Sequence, residues 1–163
     1  MINKICRIVG GILIVCLVVF GIYKIMPNQY SYIIDSKLQM LFDSEAKEII
    51  EKYQDAKVVN NTSYTYKQVL EGAPKNPSWI LETVNEAEGT YKLIYNGYKI
   101  NFELEKDDGS GDLQVYTNAH LCVEFYITEG EKSVINSISV YINGDLQNDH
   151  YKQEVFDFLA QNL

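Results

Sequence analysis

The chain has 163 residues, of which 47% are hydrophobic and 22% are charged, a length that suits one domain of about 150 residues. All 22 acidic residues lie after Pro27 with only 11 of the 14 basic ones, so that part carries a net charge of -11. This charge disfavours nucleic acid and anionic lipid surfaces as partners of the domain, because both are bound mainly through Lys and Arg.

The first predicted element is an apolar segment, residues 8–26, between Arg7 and Lys24. As a helix it rises about 28 Å, close to the hydrocarbon thickness of a bilayer, and basic side chains at its ends reach the headgroups. A cleaved signal peptide has a shorter apolar core and a small-x-small site. A lipoprotein needs a small residue before Cys16, where Val15 stands. A buried soluble helix has a polar face. The segment therefore predicts a permanent single-pass transmembrane helix, a signal-anchor.

The charges that flank this segment predict its orientation. The α-amino group, Lys4 and Arg7 precede it, and the excess of positive charge favours a cytoplasmic N-terminus. The expected organisation is a cytoplasmic tail (1–7), the transmembrane helix (8–26), a juxtamembrane linker (27–34) and an acidic extracytoplasmic domain (35–163) outside the cell membrane. Cys122 is the one cysteine of that domain, which excludes an intrachain disulfide within it.

The first half of the domain predicts helices. Apolar residues recur at three- and four-residue steps from about residue 35 to 54, with Asp43 marking a possible break or cap. Residues 65–72 are consistent with a short helix that ends at Gly72. Residues 78–89 predict another, capped by Ser78 and stopped by Gly89. Trp79 is expected in the core.

The second half predicts strands. Asn96-Gly97 is typical of a two-residue hairpin turn, because both turn positions need positive φ. A hairpin there places six residues on one face: Tyr91, Leu93, Tyr95, Tyr98, Ile100 and Phe102.

A longer alternation follows the predicted hairpin. Residues 113–127 exceed the usual strand length of about 3–10 residues, which predicts a bend or bulge near Asn118. The odd-numbered residues of this strand, from Leu113 onwards, are expected to face inward. A fourth strand runs to Asn143-Gly144, with Val134, Ile138, Val140 and Ile142 inward, and a last helix covers about residues 146–161.

These elements predict an α+β fold. A four-stranded antiparallel meander sheet packs against an N-terminal and a C-terminal helix. Its element order is similar to the curved-sheet plan of cystatin and NTF2-like folds, an analogy that implies no function.

Three side chains with chemical potential share one strand face: His120, Cys122 and Glu124. Neighbours on such a face lie about 7 Å apart, within reach of one another. A zinc site needs three or four converging donors, and a cysteine nucleophile needs a base and an oxyanion donor. The sequence supplies no further partner for either, so no metal and no cofactor is predicted. A semi-buried polar face is the simpler interpretation.

Two acidic loops, residues 107–112 and 143–149, do not have the alternating oxygen ligands of a calcium loop. Solvated turns are the preferred interpretation. The glycine-rich phosphate loop, the serine elbow, HExxH and CxxC are absent from the sequence.

Tyrosine is abundant, with 13 residues. Tyr116 and Tyr126 alternate with the inward positions of the long strand, on the face of His120, and tyrosine is favoured at binding hot spots. The sequence predicts a noncatalytic, membrane-anchored interaction domain of accessory, sensor or inhibitor type that binds another protein at the outer membrane surface. The alternative is a hydrolase or metal-dependent enzyme centred on His120, Cys122 and Glu124.

Overall fold

The computed structural model describes residues 13, 16–59, 61–106, 108–130 and 133–163. The chain forms two compact units, residues 1–31 and 32–163. In the first unit, residues 16–25 are helical (α1). Among the described residues, no helix combines the length and the apolar character of a membrane span. Residues 8–12, 14 and 15 of the predicted span, and the predicted tail with Arg7, lie outside the described residues.

The remaining elements follow α1 in chain order. The helices are α2 (Asn28–Phe42), α3 (Ser44–Gln54), α4 (Tyr66–Gly72) and α5 (Asp149–Gln161). The strands are β1 (Lys57–Val58), β2 (Asn61–Thr65), β3 (Lys75–Asn85), β4 (Thr90–Glu105), β5 (Leu113–Thr128), β6 (Val134–Ile142) and β7 (Asp145–Leu146). Helix α2 covers most of the residues predicted as a linker.

The fold is α+β, as predicted. Strands β3 to β7 form one antiparallel sheet in sequence order, which is five-stranded and not four-stranded, and β1 pairs with β2 separately. One face of the sheet packs against α3, α4 and α5. The largest fully buried side chains of this core are Tyr66, Tyr95, Phe102, Phe125, Ile50, Leu70, Leu93, Leu104, Leu121, Ile127, Ile142 and Leu159.

Two strands of the sheet, β3 and β7, were not predicted, and the two strands of the predicted hairpin form the single strand β4. Strand β3 lies where a helix was predicted over residues 78–89. Ser78 pairs with Asn96 of β4, so it lies within the ladder and does not cap a helix. Trp79 is buried, as expected, with its ring 5.0 Å from that of Tyr95 and 6.0 Å from that of Phe125. A short apolar run suits a strand or a helix equally, and pairing with β4 decides between them.

β4 is continuous, so the predicted hairpin at Asn96-Gly97 is wrong. These two residues lie opposite Cys122 and Leu121 of β5. The register shifts just beyond them, where Lys99 has φ 58°, which marks a β-bulge. A one-residue bulge exchanges the two faces of a strand. The residues of β4 that face the core therefore have odd numbers before the bulge and even numbers after it. They are Tyr91, Leu93 and Tyr95, and then Ile100, Phe102 and Leu104.

β5 has the irregularity predicted near Asn118, whose φ is 51°. The alternation before this bulge is reversed, so Leu113 and Val115 are 53% and 59% exposed and do not face inward as predicted. Tyr116 instead packs against the core, with its ring 6.5 Å from that of Phe102.

β6 shifts register at Asn136, between the pairs Tyr126–Ser137 and Ile127–Ile135. Consequently Val134, predicted inward, is 47% exposed. Asn143 and Gly144 have φ of 55° and 93° and form the turn that leads into β7.

Helix α2 protects the β3 edge of the sheet. The Gln39 amide group donates to the Leu81 carbonyl and accepts from the Leu81 N–H, both at 2.8 Å. The Trp79 N–H donates to Ser36 Oγ at 3.2 Å. These side chains take the place of a further strand at Trp79 and Leu81, so the middle of the β3 edge is not open to other chains.

Asp43 separates α2 from α3, because its carboxylate accepts from the Ala46 N–H at 2.9 Å as an N-cap. We expect Asp43→Ala to lower the free energy of unfolding by about 1 kcal/mol, the usual cost of losing such a cap. Asp43→Asn keeps a capping oxygen and should change it by much less. Urea unfolding of both variants measures the difference, and equal losses would contradict the capping role.

Candidate functional site

The sheet face opposite the core carries the predicted residues His120, Cys122 and Glu124. They lie at alternate positions of β5, beside a cavity of about 330 Å³. The cavity is lined by Tyr32, Ile80, Glu82, Lys92, Ile94, Asn96, His120, Cys122, Glu124, Tyr141 and Gly144. We call this surface the open face. Tyr126 follows Glu124 on the same face, whereas the bulge at Asn118 turns Tyr116 towards the core.

His120 is held by its backbone and by its ring. Asn143 bonds both backbone groups, donating its N–H to the His120 carbonyl (2.8 Å) and accepting the His120 N–H on Oδ1 (2.9 Å). The imidazole Nε2 lies 2.8 Å from Asn96 Oδ1, within hydrogen-bond distance. The ring of Tyr98 stacks on the imidazole at 4.4 Å between centroids. Tyr98 thus lies on the open face. The predicted hairpin had placed it in the core.

Glu124 belongs to a small charge network. Lys92 Nζ lies 3.5 Å from the Glu124 carboxylate and 3.0 Å from that of Glu82. The Tyr141 hydroxyl also donates to Glu124, at 3.4 Å. Burial alone would lower the pKa of Lys92, but the two carboxylates outweigh it and raise the pKa. Lys92 therefore stays charged and keeps Glu124 paired.

Near neutral pH, the pKa shifts of Cys122 and His120 both favour the neutral forms of the thiol and the imidazole. Burial, reinforced by the charge of Glu124, raises the pKa of Cys122 to about 12. Burial lowers the pKa of His120 below its ordinary value. A thiolate–imidazolium pair needs the opposite shifts, since the thiolate is the nucleophilic form of cysteine.

Metal ligands do not converge on the open face. Among the described residues, no group of three or more His, Cys, Asp or Glu side chains is placed to hold an ion. His150 lies at the start of α5, with Nε2 3.4 Å from the Glu105 carbonyl, and does not line the cavity.

The two acidic loops form local hydrogen bonds. Asp108 accepts from the Ser110 N–H at 2.9 Å, and Ser110 Oγ accepts from the Asp112 N–H at 3.1 Å. Asn148 caps α5 through the Tyr151 N–H. Asp107 of the first loop lies outside the described residues.

Sequence reasoning did not find the side chains on neighbouring strands that contact His120, Cys122, Glu124 and Tyr126. Asn96 and Tyr141 lie opposite Cys122 on the two neighbouring strands. Lys92 lies opposite Tyr126 and reaches Glu124 diagonally. Their identification depends on the register between β4, β5 and β6. The length of the alternation over residues 113–127 was the available signal, because a strand of that length needs an equally long partner. The predicted hairpin divided that partner into two short strands.

Comparison with protein-family models, with curated proteins and with solved structures found no match for this chain.

Proposed function

We propose that the chain is a single-pass, membrane-anchored, noncatalytic interaction domain that binds another protein at the outer surface of the cell membrane. The apolar segment 8–26, bounded by Arg7 and Lys24, supports the anchor, and the positive N-terminal flank supports a cytoplasmic N-terminus. For the architecture, the proposal includes a curved-sheet plan similar to that of cystatin and NTF2-like folds. This is an analogy of element order and implies no function.

The observation that carries the binding role is the composition of the open face. Tyrosines surround the cavity, with Tyr32 and Tyr141 in its lining and Tyr98 and Tyr126 beside it. Tyrosine offers a large contact area with a polar tip and is enriched at interface hot spots. The charges in the cavity are already paired within the chain, as Lys92 with Glu82 and Glu124. A partner therefore meets a preformed surface with both apolar and hydrogen-bonding character.

The enzyme alternative has less support on the same face. A cysteine nucleophile is disfavoured by the raised pKa of Cys122, and a general base by the pairing of Glu124 with Lys92. A reaction that His120→Ala abolishes without loss of folding would favour the enzyme instead.

We expect a membrane-impermeant, amine-reactive crosslinker, added to intact cells, to join the full-length chain to a stoichiometric partner. The exposed lysines of the domain then react only if it faces outward. Replacing Tyr126 and Tyr141 together with Ala should weaken the complex by at least about 30-fold, a typical hot-spot loss.

Tyr116→Phe is the control, since Tyr116 lies on the core side of the bulge and phenylalanine keeps its ring packed, so the adduct should be unchanged. An adduct that the double variant retains would place the interface elsewhere. No adduct with any partner, from a chain present at the membrane, would contradict the proposal.

A further inference from the structure

The two edges of the five-stranded sheet are protected to different extents. Side chains of α2 occupy the β3 edge. At the opposite edge, β7 pairs only with Tyr141 and Ile142 of β6, and the Gln147 N–H donates to the Val140 carbonyl at 2.8 Å. Among the described residues, the section 134–139 pairs with β5 alone. Its outward backbone groups therefore form an open edge.

The sequence of this edge lacks the usual protective residues. Residues 133–142, Ser-Val-Ile-Asn-Ser-Ile-Ser-Val-Tyr-Ile, contain no charge and no proline, and β-branched residues are frequent. Native edge strands are normally blocked by Lys, by Pro, by a β-bulge or by a covering element, and of these the described section 134–139 has only a bulge. The bulge at Asn136 interrupts the edge without covering it. Such a strand is a template for pairing with another extended chain.

A groove accompanies the open edge. It has a volume of about 360 Å³, within the usual range of ligand pockets, and lies between β6, the β1 region and α5. An added strand would point alternate side chains to this side of the sheet, over the groove. Its apolar lining consists of Val58, Val59, Tyr66, Ile135, Ile138 and Phe156. The two charged residues of the lining, Asp149 and Lys152, form an ion pair at 2.7 Å, so they add no net charge to the groove.

The negative charge of the domain indicates which kind of segment can bind at the open edge. Residues 28–163 carry 11 basic and 22 acidic side chains, so a second copy of the chain would be repelled, whereas a cationic segment would be attracted. We propose that the open edge of β6 binds an extended segment of a partner protein as an added strand. The segment has aliphatic residues at alternate positions, which enter the groove, and Lys or Arg between them. This surface is separate from the open face.

The test uses the full-length chain in mild detergent and a short, capped peptide in which Val and Lys alternate. Calorimetric titration measures binding, and hydrogen exchange measures protection of residues 134–139, which should rise in the complex. Val59→Lys places a cation in the groove and should weaken binding about tenfold or more. Val84→Lys is the matched control, since Val59 and Val84 are 59% and 55% exposed and Val84 lies on β3 at the opposite edge.

The outcomes are distinct. Protection of residues 134–139, with selective loss in Val59→Lys and with no binding by a peptide N-methylated on its pairing edge, supports an added strand. Equal binding by the two lysine variants indicates charge attraction alone and overturns the proposal, as does an absence of binding. Protection that rises with protein concentration, without peptide, would assign the edge to a second copy. Replacing Tyr126 and Tyr141 with Ala should not affect peptide binding, so this test is independent of the open face.

Discussion

Gly97→Ala is expected to destabilise the domain by about 3 kcal/mol, at the upper end of the cost of overpacking a core. Gly97 is buried in β4, and an added Cβ would lie 2.7 Å from Pro74 Cβ and in direct collision with the Tyr95 hydroxyl. Neither neighbour moves freely. Pro74 is a rigid ring, and Tyr95 is fully buried and donates its hydroxyl hydrogen to the Leu70 carbonyl. Urea unfolding of the variant measures the loss.

Gly130→Ala is the control for this substitution, because nothing lies within 4 Å of its added Cβ. Its midpoint of unfolding should stay close to that of the parent chain. An unchanged midpoint for Gly97→Ala as well would mean that the segment around Pro74 yields without cost, and the tight approach of β4 would then be irrelevant to stability.

The dipeptide Asn-Gly occurs twice in the chain and has two different structures. At 143–144 both residues have positive φ and form the expected turn, after which only the two-residue β7 pairs back. At 96–97 neither residue has positive φ, and β4 continues along the equally long β5. A local turn preference is worth little against a ladder that pairs most of two 16-residue strands. The pattern of apolar residues could not distinguish a turn at 96–97 from a bulge, since either one shifts the buried positions from odd to even residue numbers.

For the candidate site, the sequence predicted which residues share a face of β5 but not their contacts with other strands. Alternation along β5 placed His120, Cys122 and Glu124 together, because side chains two positions apart share a face whatever the strand pairs with. Tyr116 was predicted on that face, but the bulge at Asn118 reverses the alternation before it. The bulge itself was predicted from strand length, but its effect on the faces was not. Contacts across strands, such as that of His120 with Asn96, required the register.

Cys122 is expected to react slowly with iodoacetamide near neutral pH. A pKa of about 12, against 9.0 for an ordinary thiol, leaves about a thousandfold less thiolate. A more basic thiolate is the better nucleophile, which restores about 30-fold. The net expectation is a rate about 30-fold below that of a free thiol. The sharper sign is the pH profile, because the rate should still rise about tenfold per pH unit between pH 9 and 10.

The measurement uses the full-length chain with Cys6→Ser and Cys16→Ser, which leaves Cys122 as its single thiol. Unfolding in urea removes the burial that raises the pKa, so the profile should then level off near pH 9, and this serves as the internal control. Glu124→Gln should increase the folded rate only modestly, since the carboxylate is a smaller cause of the shift than burial. A folded rate that levels off at or below pH 9 would show an accessible thiolate beside His120. In that case the open face would have the chemistry of a nucleophile, and the proposal of a noncatalytic surface would have to be abandoned.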